Sequence, residues 1–172
     1  FGQVSPTTAQ AVQEELGEYL ESKDHILDGG PSAVGVESTI IDCTTQAPRI
    51  LRPGAITTQM VEESTGLKVS TIQTDIRVSG SLENHYSPQA SVFLNRTPKK
   101  GEGFIALADI QTPENVIRLA SPKNVEEFAR VIYSALRDAD AKGLNSVVVA
   151  EPAGDGLALA IRDRLMRASK GR

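Results

Sequence analysis

Apolar side chains recur at three- and four-residue intervals from Ala9 through Val12 and Leu16 to Leu20, which predicts an amphipathic helix over 7–22. Ser5-Pro6 supplies an N-cap followed by a proline at the first helical position. The apolar clusters then shorten to strand length. Strands are expected at 25–28, 36–42 and 49–52, with Gly29-Gly30-Pro31 separating the first two. Thr57 caps an expected helix over 58–64 that Gly66 ends, and 67–70 reads as a last short strand. Residues 73–90, QTDIRVSGSLENHYSPQA, hold no period, and Gly80 and Pro88 break them further. A structureless stretch of about 18 residues marks a linker or a lid. Beyond it, strands are expected at 90–94, 103–107, 115–119 and 146–150. One helix opens at Ser121-Pro122, puts Val125, Phe128, Ile132, Leu136 and Ala139 on one face and stops at Gly143. Asp155 caps a final helix that carries Leu157, Ile161, Leu165 and Ala168. This alternation predicts a small parallel-sheet α/β domain over 91–172, after a first unit at 1–72 and the linker at 73–90.

Composition narrows the class. A net charge of −4 and a pI near 5.3 argue against sequence-independent nucleic-acid binding, which needs a basic face. With 40% hydrophobic residues but no apolar run of membrane-spanning length, the chain is expected to be soluble and to insert in no membrane. FGQVSPTT has neither a basic nor an apolar leader region, so no signal peptide is expected; opening on Phe1, the chain reads as a piece of a longer protein. Its lone cysteine, Cys43, fits a reducing cytoplasm and is expected inside a strand as a small buried hydrophobe. Two histidines and one cysteine leave no protein-built zinc site.

Candidate chemistry gathers in GGPSAVGVESTIIDCTTQAPRILRPG, residues 29–54. A Gly/Ser/Thr turn before an apolar strand offers N–H groups and hydroxyls to an anion, and an arginine adds a fixed fork of donors. Ser38 and Thr39 either face a pocket or finish a turn. Arg52, held before Pro53-Gly54, either pairs with a phosphate or carboxylate or makes a surface salt bridge. Ser5 and Thr7 stand at a helix N-terminus that favours anions, although capping alone accounts for Ser5. His85-Tyr86 in the linker either closes over a nucleotide or pins the linker through burial of Tyr86. His25 enters a strand and packs or caps.

In sequence order, SPTTAQAV at 5–12, ILDGGPSAVGVESTIID at 26–42, ILRPGAIT at 50–57 and HYSP at 85–88 resemble blocks of the long, two-domain YrdC-type threonylcarbamoyl-AMP synthases. VVVAEPAGDGLALAIRDRLMRAS at 147–169 is similar to the end of their C-terminal domain. The resemblance implies part of a YrdC-like α/β domain, a linker that folds over the active site, and a Rossmann-like parallel-sheet domain. It implies ATP, L-threonine and bicarbonate as substrates, Mg²⁺ travelling with the nucleotide, and a product used for threonylcarbamoyladenosine in tRNA. By position, Ser38 and Thr39 would meet the threonine, and Ser5, Thr7, Arg52, Tyr86 and His85 the ATP, with no residue acting as covalent nucleophile or acid–base catalyst. The family's upstream half, with its Lys/Arg set for the triphosphate, is not among these residues, so the chain alone is expected to be inactive and to self-associate. TRNA-modification proteins are candidate partners. Two other readings stay open: a non-catalytic module that recruits a partner, and a carbamoyl-transfer relative with another acceptor.

Overall fold

A computed structural model of the chain describes residues 2–70, 76, 78–79 and 85–171. The expected linker at 73–90 therefore lies partly outside the described residues. The first unit is small and loop-rich. Helix α1, Ala9–Leu16, is followed by a 3₁₀ turn, Gly17–Tyr19. Its cap is Thr8 rather than Ser5: Thr8 is extended and its hydroxyl accepts from the Ala11 N–H at 3.1 Å. Ser5 is drawn elsewhere, because its hydroxyl donates to the Glu37 carboxylate at 2.5 Å, a charge-assisted bond stronger than a cap.

Residues 25–28 form no strand and His25 is exposed. Strand β1 covers only Ile40–Asp42 and pairs antiparallel with β2, Arg49–Arg52. Residues 36–39, expected to extend β1, lie outside the sheet, and Glu37 among them bonds to Tyr133 and Arg164 of the C-terminal helices. Asp42 and Arg49 form an ion pair across the end of the hairpin. The Thr44 hydroxyl and N–H, and then Arg49, hold the Asp42 carboxyl down to about 2. Cys43 next to it is exposed, not buried, because the chain is already turning there. Helix α2, Thr58–Thr65, has the expected Thr57 cap and ends at Gly66 in the left-handed region. Of the strand expected at 67–70, a single bridge from Ser70 to Arg49 remains.

The second unit is a four-stranded parallel sheet in the order β3-β6-β4-β5, from Ser91–Leu94, Ser146–Val149, Gly103–Ile105 and Ile117–Ala120. Helices α3, Val125–Ala141, and α4, Leu157–Ala168, pack on it and on each other. Alternation along β6 divides the faces. Val147 and Val149 join Phe128, Ile132, Leu136, Ile161 and Leu165 in the main core, while Val148 meets Phe104 behind the sheet. Helix α3 starts at Val125 rather than at Ser121-Pro122. Asn124 caps it by accepting from Glu127 N–H at 2.8 Å, and Glu127 reaches back to Lys123 N–H at 2.8 Å, a reciprocal cap that outcompetes Ser121. Helix α4 begins after Gly156, with no side-chain cap from Asp155.

Glu102 staples the β3–β4 connection. It accepts from Arg96 through two bonds of 2.7 and 2.6 Å, from Lys99 N–H at 2.7 Å and from Ser146 at 2.9 Å. Arg96 foremost, and then, against burial, the Lys99 N–H and the Ser146 hydroxyl, hold its carboxyl at about 2, below its ordinary 4.5. A depressed carboxyl contributes stability that is present above the unfolded value and lost as pH falls toward the folded one. Glu102→Gln should therefore cost about 1–2 kcal/mol at pH 7, as expected for charge-assisted bonds that are partly solvated. In urea titrations the gap to wild type should shrink below pH 4.5 and close near pH 2. A gap independent of pH would contradict this role for Glu102.

Candidate functional site

Two glycines shape the segment from Gly35 to Thr39. Gly35 has φ +88°, and a Cβ there would fall 2.2 Å from the Ala129 carbonyl oxygen and 2.4 Å from Arg130 Cα, so this turn lies directly on the backbone of α3. On the other side, a Cβ on Gly54 would fall 2.4 Å from Thr39 N and 2.7 Å from both Glu37 O and Ser38 C. The Arg-Pro-Gly turn thus closes over residues 37–39 with no room for a side chain. Arg52, largely buried, fixes the same segment. Its Nε and Nη2 donate to the Ser38 carbonyl at 3.1 and 2.9 Å, and its Nη1 donates to the Ser79 carbonyl at 3.0 Å. The Thr39 hydroxyl donates to Ile56 O at 2.7 Å.

The hydroxyls so placed border two small cavities. Ser38 and Thr39 line one of about 240 Å³ with Val34, Val36, Ala55 and Ile56. Ser5 and Thr7 line another of about 170 Å³ with Ser32, Glu37 and Tyr133, and Val36 stands in the wall of both. The Thr7 carbonyl also accepts from Ser32 N–H at 2.9 Å, which ties the two loops together. A larger cavity of about 850 Å³, between α2 and the start of α4, contains none of the expected residues.

Between the two units sits Glu37. Ser5 donates to its Oε1 at 2.5 Å, and the Tyr133 hydroxyl to Oε1 and Oε2 at 3.1 and 2.9 Å. Arg164, 0% exposed, donates from Nε to Oε2 at 2.9 Å and from Nη1 to Pro53 O at 2.8 Å. Burial pushes the Glu37 carboxyl up, but the Ser5 hydroxyl and Arg164 outweigh it and hold the group below its ordinary value. For Tyr133, burial and then the Glu37 charge keep the phenol well above its usual range, so it remains a donor at neutral pH. Tyr86 stacks on Tyr133 with centroids 5.7 Å apart and is 1% exposed, with Arg164 over its ring at 5.7 Å. Its φ of +63° is one few non-glycine residues adopt, held here by the packing around the ring. His85 lies edge-on to it at 4.0 Å; burial lowers its imidazole below the ordinary value, against the nearby Glu37 charge.

Ser38, Thr39 and Arg52 are thus brought together, and Ser5 and Thr7 lie across Val36 from them. Tyr86 and His85 join this group through Tyr133 and Glu37, with Tyr86 in the core. Sequence reasoning missed Glu37, Tyr133 and Arg164. The available signal was Arg164 itself, a charge at helical spacing on the Leu157, Ile161, Leu165 and Ala168 stripe, which requires a buried partner. Among the described residues no three or more His, Cys, Asp or Glu gather to hold a metal, and no helix is long and apolar enough to cross a membrane.

Fold and site together define a two-unit α/β protein that presents hydroxyls at small cavities beside an ion pair joining the units. Residues 56–170 match the family described as "Threonylcarbamoyl-AMP synthase, C-terminal domain", and residues 1–54 match a family described as "Telomere recombination". The chain belongs to the family of the threonylcarbamoyl-AMP synthase C-terminal domain. It is 31% identical to the threonylcarbamoyl-AMP synthase of Pyrococcus abyssi over 98% of this chain and 55% of that protein. It is 28% identical to the one of Bacillus subtilis over 99% of this chain and 55% of that protein. The crystal structure of P. abyssi Sua5 complexed with L-threonine superimposes with a TM-score of 0.79 at 30% identity, over 98% of this chain and 55% of that one. The chain spans about half the length of the curated relatives it matches.

Proposed function

We propose that the protein to which this chain belongs is a threonylcarbamoyl-AMP synthase working in threonylcarbamoyladenosine modification of tRNA. The observation that carries the reading is the Ser38-Thr39 segment, its backbone gripped by Arg52 and Gly54 and its side chains lining a small cavity, in a chain similar to a Sua5 solved with L-threonine. Bicarbonate adds to the threonine amine with loss of water, and the resulting carbamate oxygen attacks the α-phosphorus of ATP as pyrophosphate leaves. Such in-line transfer depends on positioning and charge neutralisation. Ser38 meets the threonine moiety, and Thr39, whose hydroxyl is already engaged by Ile56 O, is the weaker partner. Arg52 meets a nucleotide phosphate from its fixed position, while Ser5 and Thr7 border the ATP.

His85 and Tyr86 bound the nucleotide from the linker side, with Tyr86 as the buried anchor. A P. abyssi Sua5 with a His and the following Tyr both changed to Ala is among the similar solved structures, and His85-Tyr86 is the one His-Tyr pair in this sequence. Mg²⁺ finds no ligand cluster among the described residues, and no step here runs through it. In a cytoplasmic setting the tRNA-modification machinery consumes the product. Spanning about half the length of the relatives it matches, the 172-residue chain by itself should turn over no ATP with threonine and bicarbonate, and turnover by it would count against this. The chain self-associates through exposed apolar side chains such as Leu27 at 92% and Tyr19 at 78%; a strictly monomeric species by light scattering at high concentration would contradict this.

Ser38→Ala in the full-length protein tests the site. Loss of one hydrogen bond to substrate should raise the threonine KM about tenfold or more, with the ATP KM little changed. Pyrophosphate release assayed over threonine concentration checks it, and an unchanged threonine KM removes Ser38 from the site.

A further inference from the structure

One face of α3 meets the first unit along its length. Arg130 Nε donates to Ala33 O at 2.9 Å, Tyr133 to Glu37 as above, and Arg137 Nη1 to Glu15 at 2.9 Å. Arg137 also donates to the Val4 carbonyl. Residues 130, 133 and 137 follow helical spacing, so they form one stripe. From α4, Arg164 reaches both walls of the Ser38-Thr39 cavity region at once: Glu37 precedes Ser38 in the chain, and Pro53, whose carbonyl Arg164 also holds, precedes Gly54.

Geometry then couples these contacts to the hydroxyls. Gly54 touches the backbone of residues 37–39 with no slack. A shift of Glu37 or of Pro53 must therefore move Ser38 and Thr39. Interiors packed this closely transmit displacement rather than absorb it.

We propose that Glu37 is a positioning residue: by collecting donors from α3, α4 and Ser5 on one carboxylate, it makes the placement of the Ser38 and Thr39 hydroxyls depend on the seating of the C-terminal helices. This rests on the synthase reading for the identity of the ligand at Ser38, but not for the existence of the lock. The C-terminal unit on this view is a part of the threonine site, acting through Glu37 without touching substrate. A purely structural ion pair would instead lower stability when broken and leave the affinity for threonine relative to ATP unchanged.

The test uses the full-length protein as wild type, Tyr133→Phe and Glu37→Gln. Tyr133→Phe removes one hydroxyl and keeps the ring that stacks on Tyr86, so folding is preserved. Kinetics of pyrophosphate release should give a threonine KM raised about five- to tenfold in each variant, the part of a lost charge-assisted bond that reaches Ser38. Because Glu37 also holds Ser5 and, with Tyr133, lines its cavity, the ATP KM should rise as well, but clearly less than the threonine KM. Amide hydrogen exchange should quicken in 36–42 and 52–54 and stay unchanged in the sheet behind α3. An unchanged threonine KM alongside a lowered melting temperature would overturn the proposal and leave a structural ion pair. Equal rises in both KM values would overturn it too. If wild type shows no threonine-dependent turnover, the synthase reading fails and takes the threonine part of the proposal with it. The lock is then decided by exchange alone, and unaltered exchange at 36–42 in both variants refutes it.

Discussion

Gly35→Ala should unseat the first unit from helix α3 and cost about 2–5 kcal/mol, the sum of left-handed backbone strain on a residue with a Cβ and overpacking against an unyielding helix. The clash is with backbone: the new methyl would lie 2.2 Å from Ala129 O and 2.4 Å from Arg130 Cα. No side-chain rotamer can relieve it. The turn must lift, and Glu37, two residues on, loses its register with Tyr133 and Arg164. Chemical unfolding of the variant should report the lost stability, and calorimetric titration of the full-length variant should show L-threonine affinity falling as well. A variant within 1 kcal/mol of wild type would mean that the turn does not rest on α3.

Gly54→Ala is the second large effect, and it differs in kind. Gly54 is not in the left-handed region, so strain plays no part; the methyl would meet Thr39 N at 2.4 Å and both Glu37 O and Ser38 C at 2.7 Å. Overpacking of this sort costs about 1–3 kcal/mol, and the displaced atoms are the backbone of the proposed threonine site. Threonine affinity should therefore drop more than tenfold while most of the fold survives. Gly66→Ala is the control. Its Cβ would enter open space at φ +70°, so it should cost roughly 1 kcal/mol of backbone strain and leave threonine binding alone. Equal binding losses in Gly54→Ala and Gly66→Ala would mean a general softening rather than a local displacement.

These two glycines also mark where the sequence was legible and where it was not. Periodicity located α3 and α4, because each buries a repeating apolar face, as Phe128, Ile132 and Leu136 do on α3, while the short helix α2, which buries only Val61, was legible from its Thr57 cap and Gly66 stop. Helix starts were less legible. Ser5 and Ser121 look like caps, yet Thr8 and Asn124 do that work, since Ser5 has a stronger acceptor in Glu37 and Asn124 has Glu127 as a reciprocal partner. The strand over 36–42 shortened to Ile40–Asp42 because Gly35 and Glu37 answer to helices more than 90 positions away, as the Ala129, Tyr133 and Arg164 contacts record. No local pattern encodes such a contact. Cys43 shows the same limit: strand-like neighbours suggested burial, and the hairpin turn exposes it.

For the site, residue types sufficed to pick the Gly/Ser/Thr turn and Arg52, since anion-binding chemistry has a recognisable composition. What Arg52 holds, the carbonyls of Ser38 and Ser79, depends on tertiary placement. Glu37 stands unremarked between Val36 and Ser38, although a charge there and another on the apolar stripe of α4 are complementary once Arg164 is known to be buried and Glu37 half-buried. Tyr86 was legible as an aromatic in a linker, but its stacking on Tyr133 was not.

The most direct measurement is pyrophosphate release from ATP by the full-length protein, with and without L-threonine and bicarbonate. The synthase reading predicts release that requires both and falls sharply in Ser38→Ala. ATP turnover indifferent to threonine, or none at all from a well-folded protein, would contradict it.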